Sequence, residues 1–237
     1  MRAWILILIF SYGSPMASGI YKQYLIIWNV GQGSWATLVK PDECLHMDMG
    51  GEYNQTAKVL KFCRGKTNKL FLSHADWDHY SFAKFSPLFD CRLNQLRPID
   101  EMNLSFFTAK KVCMAPDHEN LFPQGKNINT KIKNKTSQVA WIKRFKMLIP
   151  GDAPSAQEKL WNYSKIWDAR ILILGHHGSK TSSSEFLLTQ LGHLKLAIAS
   201  ARKLKYGHPH QIIINRLKNH SIPLLTTQDW GSIAIVD

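Results

Sequence analysis

The hexad His74-Ala75-Asp76-Trp77-Asp78-His79 follows directly on an apolar run, Leu70-Phe71-Leu72-Ser73. Two imidazoles and two carboxylates in one short loop constrain this chain more than any other feature. A helix could not aim all of them at one point, because residues two apart on a helix point to opposite sides. A loop leaving a buried strand can. Without a cation the carboxylates would repel, and at least one would take up a proton. A divalent metal removes that penalty. The competing reading is an acidic surface loop that happens to hold two histidines.

The same grammar recurs along the chain. Gly151-Asp152 follows the apolar run 145–149, Gly175-His176-His177-Gly178-Ser179 follows 171–174, and Tyr206-Gly207-His208-Pro209-His210 follows 196–200. Each is a strand ending in ligand-type residues beside glycine. Open α/β folds place their sites at strand ends on one edge of the sheet. A single His-His pair would be weak evidence, but the repetition is strong.

The intervening segments fit a layered α/β domain. Runs 24–30 and 35–39 read as strands joined by a tight turn at Gly31-Gln32-Gly33. Residues 44–48 form a third strand. A helix over 54–63 has Asn54 as N-cap and Gly65 as its stop. Runs 139–142 and 145–149 suggest a hairpin. Ser155 to Glu158 and Ser182 to Glu185 have the capping-box spacing. The first of these boxes would open a helix carrying Leu160, Trp161, Ile166 and Trp167. Residues 211–218 read as a helix, and 224–227 and 232–236 as closing strands. Residues 84–135 have poor periodicity and read as loops, with a short strand near 110–114.

Lys plus Arg is 30 against 17 for Asp plus Glu, a formal charge of +13. That balance predicts attraction to polyanions such as nucleic acid or acidic membrane. The basic residues are unevenly placed. Residues 126–146 hold Lys126, Lys131, Lys133, Lys135, Lys143, Arg144 and Lys146 with no acidic residue, and Arg202, Lys203 and Lys205 lead into the Tyr206–His210 patch. A solvated basic face is the plain alternative.

Residues 1–19 have the form of a secretory signal: Met1-Arg2, an apolar run 3–10, and Ala17-Ser18-Gly19 as an acceptable cleavage site. The run is shorter than the roughly 20 residues that span a bilayer. A buried N-terminal strand is the alternative. The expected organisation is a signal over 1–19 and one hydrolase domain over 20–237, with no transmembrane segment in the mature chain. Cys44, Cys63, Cys91 and Cys113 fit an oxidising compartment. Four cysteines allow three pairings, of which Cys91–Cys113 is the first choice; buried thiols are the alternative.

His-x-Asp-x-Asp-His resembles the metal motif of the metallo-β-lactamase superfamily. The full set, Val30-Gly31-Gln32-Gly33, Asp48-Met49-Gly50, Leu72 to His79, Gly151-Asp152, His176 to Ser179 and Tyr206 to His210, is similar to the C-terminal domain of ComEC-type competence proteins. Those proteins act in DNA internalisation. The resemblance implies a four-layer αββα sandwich with two divalent metal ions, zinc or manganese. His74 and Asp76 would hold one ion. Asp78, His79 and one of His176 or His177 would hold the second, and Asp152 would bridge. Asp76 stands where many zinc enzymes of the superfamily have His, which hardens the site and makes manganese a rival to zinc. Asn29 stands where the family has Asp, and Ser34 where an acidic residue is common. If that Asp orients a metal-bound His, its loss weakens the support.

The chemistry so implied is phosphodiester hydrolysis, with DNA as substrate and partner. Asp78 or Asp152 would accept a proton. His208 or His210 would donate one or brace the phosphate. Ser179, Lys180 and Thr181, ahead of a helix, suit a phosphate, as do Lys203 and Lys205, while Tyr206 and Trp77 could stack on bases. Two rival readings are a hydrolase of another bond (ester, lactam or small phosphodiester) and a non-catalytic DNA-binding or uptake component. The expected location is outside the cytoplasm, periplasmic or secreted.

Overall fold

Alternation along the strands decides the architecture. Ile171 and Ile173 join one apolar cluster, while Leu172 and Leu174 between and beyond them join another. The pattern repeats in the following apolar run, where Leu196 and Ile198 face one way and Ala197 and Ala199 the other. Strands covered on both faces lie inside a layered fold.

The computed structural model describes residues 6–9, 23–85, 89–96, 100, 103–114, 118–120 and 133–236. Strands in the first part are β1 (Leu6–Ile9), β2 (Tyr24–Ile27), β3 (Ala36–Val39), β4 (Glu43–Met47), β5 (Thr67–Phe71) and β6 (Cys91–Arg92). They continue with β7 (His118–Asn120), β8 (Ala140–Ile142), β9 (Met147–Ile149), β10 (Ile171–Ile173), β11 (Leu196–Ala199), β12 (Leu224–Thr226) and β13 (Ile233–Val236). One sheet runs β1-β13-β2-β3-β4-β5-β6 and the other β12-β11-β10-β9-β8-β7. Both are mixed. Strands β4, β5 and β6 are parallel in the first, and β9 to β12 in the second.

Between the sheets lies a cluster drawn from both, including Leu25, Leu38, Leu45 and Ile235 against Ile142, Ile149, Ile173 and Ile198. Full burial of such a side chain stabilises by about 1.5–3 kcal/mol, so the inter-sheet contact dominates the fold. Helix Thr56–Cys63 covers the outside of the first sheet with Val59 and Cys63. Helices Glu185–Gln190 and Gln211–Asn219 cover the second with Leu187, Leu188, Ile213 and Leu217. The result is the expected αββα order. No helix among the described residues is long and apolar enough to cross a membrane.

Several local expectations need correction. The 155–158 helix lasts one turn, with Pro154 at the N-cap position and no side-chain cap. Leu160 and Trp167 are exposed while Trp161 and Ile166 are buried, so this apolar set does not share one helical face. Glu158 is fully buried and instead accepts from the Ser183 and Ser184 backbone N–H groups at 2.6 and 3.0 Å. The next helix is capped by Ser184, whose Oγ accepts from Leu187 N at 3.2 Å, rather than by Ser182. At helix 56–63 the N-cap position is Gln55, and Asn54 Oδ1 accepts from Thr56 N at 2.8 Å. The structure joins Cys91 to Cys113, the pairing expected, and also Cys44 to Cys63. The 126–132 part of the basic run lies outside the described residues, as do 1–5 and 10–22 of the N-terminal region. Residues 6–9 of the expected signal form an edge strand antiparallel to β13.

Two glycines explain motifs that hold no ligand. A Cβ on Gly33 would lie 2.3 Å from Gly51 Cα and 2.9 Å from Asp78 O, and one on Gly50 would lie 2.5 Å from His79 N. Both turns therefore close directly on the backbone of the hexad. Gly50→Ala should destabilise the protein by about 1–3 kcal/mol through overpacking against backbone that has no room to yield. Urea unfolding measures this, and an unchanged midpoint would contradict the packing described.

Candidate metal centre

Every side chain of the centre leaves the C-terminal end of a parallel strand, where a loop can turn it inward. Asp48 follows β4, Asp152 follows β9, and His176 and His177 follow β10; after β5 the hexad is not the pure loop expected, since His74 and Asp76 precede a one-turn helix, Trp77–Tyr80, that carries Asp78 and His79. The loop after β11 brings His208 beside them, with its ring 6.1 Å from that of His176. Two sheets thus contribute to one edge.

Asp152 lies in the middle. Its Oδ1 is 3.0 Å from His79 Nε2 and 3.7 Å from His177 Nε2. Its Oδ2 is 3.5 Å from His176 Nε2 and 3.9 Å from His74 Nε2. His74 Nε2 also lies 3.4 Å from Asp76 Oδ2, and His177 Nε2 lies 3.1 Å from Asp78 Oδ2. His74-His79-Asp152 and Asp78-His79-His177 each form a compact group that could hold a metal ion. His176 and His177 thus take different sides, with His177 facing Asp78 and His176 facing Asp152 Oδ2.

The far side of each ring is held by protein. Asp48 accepts from Ser73 N at 2.7 Å, from Ser73 Oγ at 2.9 Å and from His79 Nδ1 at 2.7 Å. Because the Ser73 proton goes to Asp48, Ser73 Oγ can accept from His74 Nδ1 at 3.0 Å. His177 Nδ1 donates to the Ser200 carbonyl at 3.1 Å. Each Nδ1 is a donor, so Nε2 is the nitrogen turned to the centre. This is the arrangement of histidines that bind metal through Nε2. His74 Nε2 is buried without a hydrogen-bond partner, and His79 Nε2 and Asp152 Oδ1 are buried with each other as nearest polar atoms, at 3.0 Å. An orphaned buried polar atom costs about 1–3 kcal/mol. His74 Nε2, His79 Nε2 and Asp152 Oδ1 converging in one buried space fit a cation, and the imidazole and carboxylate donor set suits zinc or manganese.

Electrostatics point the same way. Burial would raise the Asp152 carboxyl, but the His79 and His177 charges hold it well below the usual range. Burial likewise works to raise Asp78, and the His177 bond and His79 charge pull it down further. Burial would lower His79, yet the Asp152 and Asp48 charges push it well above its ordinary value. His177 is also raised, with Asp152 and Asp78 overcoming burial. His176 goes the other way, lowered by burial, with Asp152 opposing and His177 and His79 adding to the fall. His208 falls to about 4 through burial and the charges of His177 and His176. The metal-free centre is therefore balanced by protons on His79 and His177, which a cation would replace.

Backbone strain collects at the same place. Asp48, His176 and His177 have φ of 56°, 50° and 57°. Left-handed non-glycine residues cost roughly 1–2 kcal/mol each.

Other residues expected in the site are placed differently. His210 caps helix Gln211–Asn219, its Nδ1 accepting from Ile212 N at 3.2 Å. Lys205 Nζ and Tyr206 OH bond Glu52 Oε1 at 2.6 and 3.0 Å, so both already hold an acidic partner. Arg202 bonds Glu52 Oε2 at 3.0 Å. Burial works to raise Glu52, but these donors hold it at about 2. Ser179 is buried, and its Oγ lies 3.0 Å from Thr181 Oγ1, which in turn lies 3.3 Å from His176 Nδ1. Lys180 and Lys203 are exposed. Trp77 is 54% exposed, so its ring is not part of the core. Asn29 does not support a ring: its Oδ1 accepts from Gly31 N at 3.3 Å, and its carbonyl accepts from Gln55 Nε2 at 2.5 Å. Asp48 supplies the carboxylate behind His79.

The sequence alone places Asp48 within a motif and gives it no role. The signal is present, since it is another carboxylate at a strand end before glycine. Ser73, Gln32, Glu52 and Asn134, whose Nδ2 is 3.4 Å from Asp152 Oδ2, give no comparable signal.

No protein-family model matches the chain. It is similar to ComE operon protein 3 of Bacillus subtilis, 28% identical over 199 residues, covering 75% of this chain and 25% of that protein. Recombination protein 2 of Haemophilus influenzae is 26% identical over 220 residues, covering 87% and 28%. Competence protein ComA of Neisseria gonorrhoeae is 25% identical over 250 residues, covering 98% and 35%. The chain spans about a quarter to a third of these relatives' length. Among solved structures, the metallo-β-lactamase fold protein YhfI of Bacillus subtilis superposes with a TM-score of 0.58 at 12% identity, covering 89% of this chain and 98% of that one. The chain has the metallo-β-lactamase fold and resembles ComE-type competence proteins in sequence.

The wiring behind the rings makes two predictions. Asp48→Asn leaves His79 without its carboxylate and should weaken metal affinity by about 10–100-fold, read by chelator competition. An unchanged affinity would remove Asp48 from the account. In metal-free protein, the stability from charged His79 and His177 is complete below the unfolded value of about 6.5 and is lost as pH rises through their raised folded values. Metal-free Tm should therefore fall as pH rises above about 6.5, while metal affinity strengthens. A rise in metal-free Tm over that range would contradict the assigned charge balance.

Proposed function

We propose that this protein is an exported, metal-dependent hydrolase that cleaves phosphodiester bonds of DNA in a competence-type setting. The observation that carries the reading is the convergence of His74 Nε2, His79 Nε2 and Asp152 Oδ1 in one buried group at an edge of the sandwich. His74, Asp76, His176 and Asp152 Oδ2 would hold one divalent ion. Asp78, His79, His177 and Asp152 Oδ1 would hold the other. Ions held there would supply Lewis-acid charge that acidifies water and neutralises phosphoryl oxygens.

The chain's own residues divide the remaining work. Asp48, Ser73 and the Ser200 carbonyl fix the rings. Asp78, more exposed than Asp152, would accept a proton from the attacking water. Exposed Lys180 and Lys203 draw in the polyanion. Trp77 offers a face on which a base can stack. Lys205 and Tyr206 act through Glu52 to hold the loop that carries His208.

DNA as substrate rests on the basic charge and on the competence relatives, whose names concern competence and recombination. The two disulfides support an oxidising compartment. Cleavage of residues 1–19 would remove β1 and leave β13 at the edge of its sheet.

Purified protein incubated with labelled DNA and manganese or zinc should cut it, and EDTA should abolish cutting. Asp152→Asn and Asp78→Asn should each lower the rate by at least about 100-fold, the scale of losing one well-placed electrostatic group. Retardation of DNA without cleavage would favour a binding component, and turnover of nitrocefin but not DNA would move the activity to another bond. N-terminal sequencing of protein recovered outside the cytoplasm should begin after Gly19, and a chain beginning at Met1 would contradict processing.

A further inference from the structure

His208 differs from the other rings in what its Nδ1 meets. His74, His79 and His177 each meet an acceptor there. His208 Nδ1 instead lies 3.1 Å from Gln32 Nε2, an amide nitrogen. The orientation of that amide is fixed by its other end. Gln32 Oε1 lies 3.2 Å from Arg202 N, a backbone group that can only donate. An oxygen must therefore sit there, which turns the NH2 of Gln32 toward His208. An NH2 donates and does not accept, so His208 Nδ1 is the acceptor and carries no proton.

Gln32 is well placed for this duty. It is 8% exposed, and its backbone N donates to Glu52 Oε2 at 3.1 Å. Glu52 also binds Arg202, Lys205 and Tyr206. The turn that carries Gln32 and the loop that carries His208 are thus joined through one carboxylate and one amide.

We propose that Gln32 is a positioning residue that holds His208 as the neutral tautomer with its proton on Nε2. Three consequences follow from that tautomer. Nε2–H has no lone pair in the ring plane, so His208 does not ligate a cation. It can donate a hydrogen bond to a non-bridging phosphoryl oxygen of a substrate beside His176. It does not protonate the leaving oxygen, because giving up that proton would leave an imidazolate. His208 then braces charge on the phosphoryl group, and the leaving oxygen takes its proton from water. The role assigned to His208 rests on the phosphodiesterase reading; the tautomer does not.

Long-range 1H–15N NMR of the zinc-loaded protein, labelled at histidine, tests the tautomer directly, with His208→Gln used to assign its signals. His208 should show a bare Nδ1 and a protonated Nε2. A proton on Nδ1 would overturn the proposal, whatever the activity. Gln32→Glu keeps the acceptor for Arg202 N but replaces the donor by a carboxylate, so it should move a proton onto His208 Nδ1 while His74, His79 and His177 keep their signals. An unchanged His208 would overturn the positioning role. Kinetics separate bracing from proton donation. His208→Ala should slow cleavage of DNA and of a nitrophenyl phosphodiester alike, each by about 100-fold. A loss on DNA with none on the nitrophenyl ester, whose leaving group needs no proton, would overturn bracing. The Nε2–H tautomer in a protein that cleaves neither substrate would retire the hydrolase reading and leave the Gln32 assignment standing.

Discussion

Asp152 is a buried carboxylate with four imidazoles around it, and the rest of the molecule is arranged to make that tolerable. Each carboxylate oxygen faces two Nε2 atoms, at 3.0 and 3.7 Å on one side and 3.5 and 3.9 Å on the other. An isolated buried charge costs several kcal/mol. Here the charge is compensated by protons on His79 and His177 or by cations in their place. The same constraint explains why Asp48 and Ser73 are buried behind the rings. They hold Nδ1 protons away from the centre and leave Nε2 as the atom that faces it.

That local need propagates into the backbone. To bring adjacent His176 and His177 to opposite sides of Asp152, the chain adopts two successive left-handed residues. Glu158, Ser182 and Ser183 secure this turn from beneath: Glu158 accepts from the Ser183 N–H, Ser182 Oγ donates to Ala153 O at 2.8 Å, and Ser183 Oγ accepts from Gly175 N at 3.0 Å. Ser182, which reads as a helix cap in the sequence, and Ser183 beside it are thus braces of the metal-facing loop. On the other sheet, Gly33 and Gly50 let two turns close on the hexad backbone. The strain is stored where the function is placed, and the inter-sheet core offsets it.

What is legible in the sequence is the part written in strict local order. An apolar run followed by His, Asp and Gly is readable because both the strand and its ligand lie within a few residues. The αββα layering follows from alternating apolar residues and the β–α order of the later chain. The partners of these residues are harder to see because they are distant in sequence. Nothing in Glu52 announces that it will meet Lys205, 153 positions later, and Gln32 pairs with His208 across 176 positions. Lys205, Tyr206 and His210 look like substrate or proton-transfer groups because exposed polar residues beside a motif look available. Folding engages the first two with Glu52 and makes the third a helix cap. Asn29 looks like a weakened support, but the carboxylate behind His79 is Asp48. The helix expected beyond Glu158 fails because its apolar residues do not lie on one face.

Anomalous diffraction from crystals grown with manganese or zinc tests the central claim most directly. Two peaks should flank the Asp152 carboxylate, one bounded by His74, Asp76 and His176 and the other by Asp78, His79 and His177. A map with no anomalous density at this edge, or with metal bound elsewhere, would contradict the account.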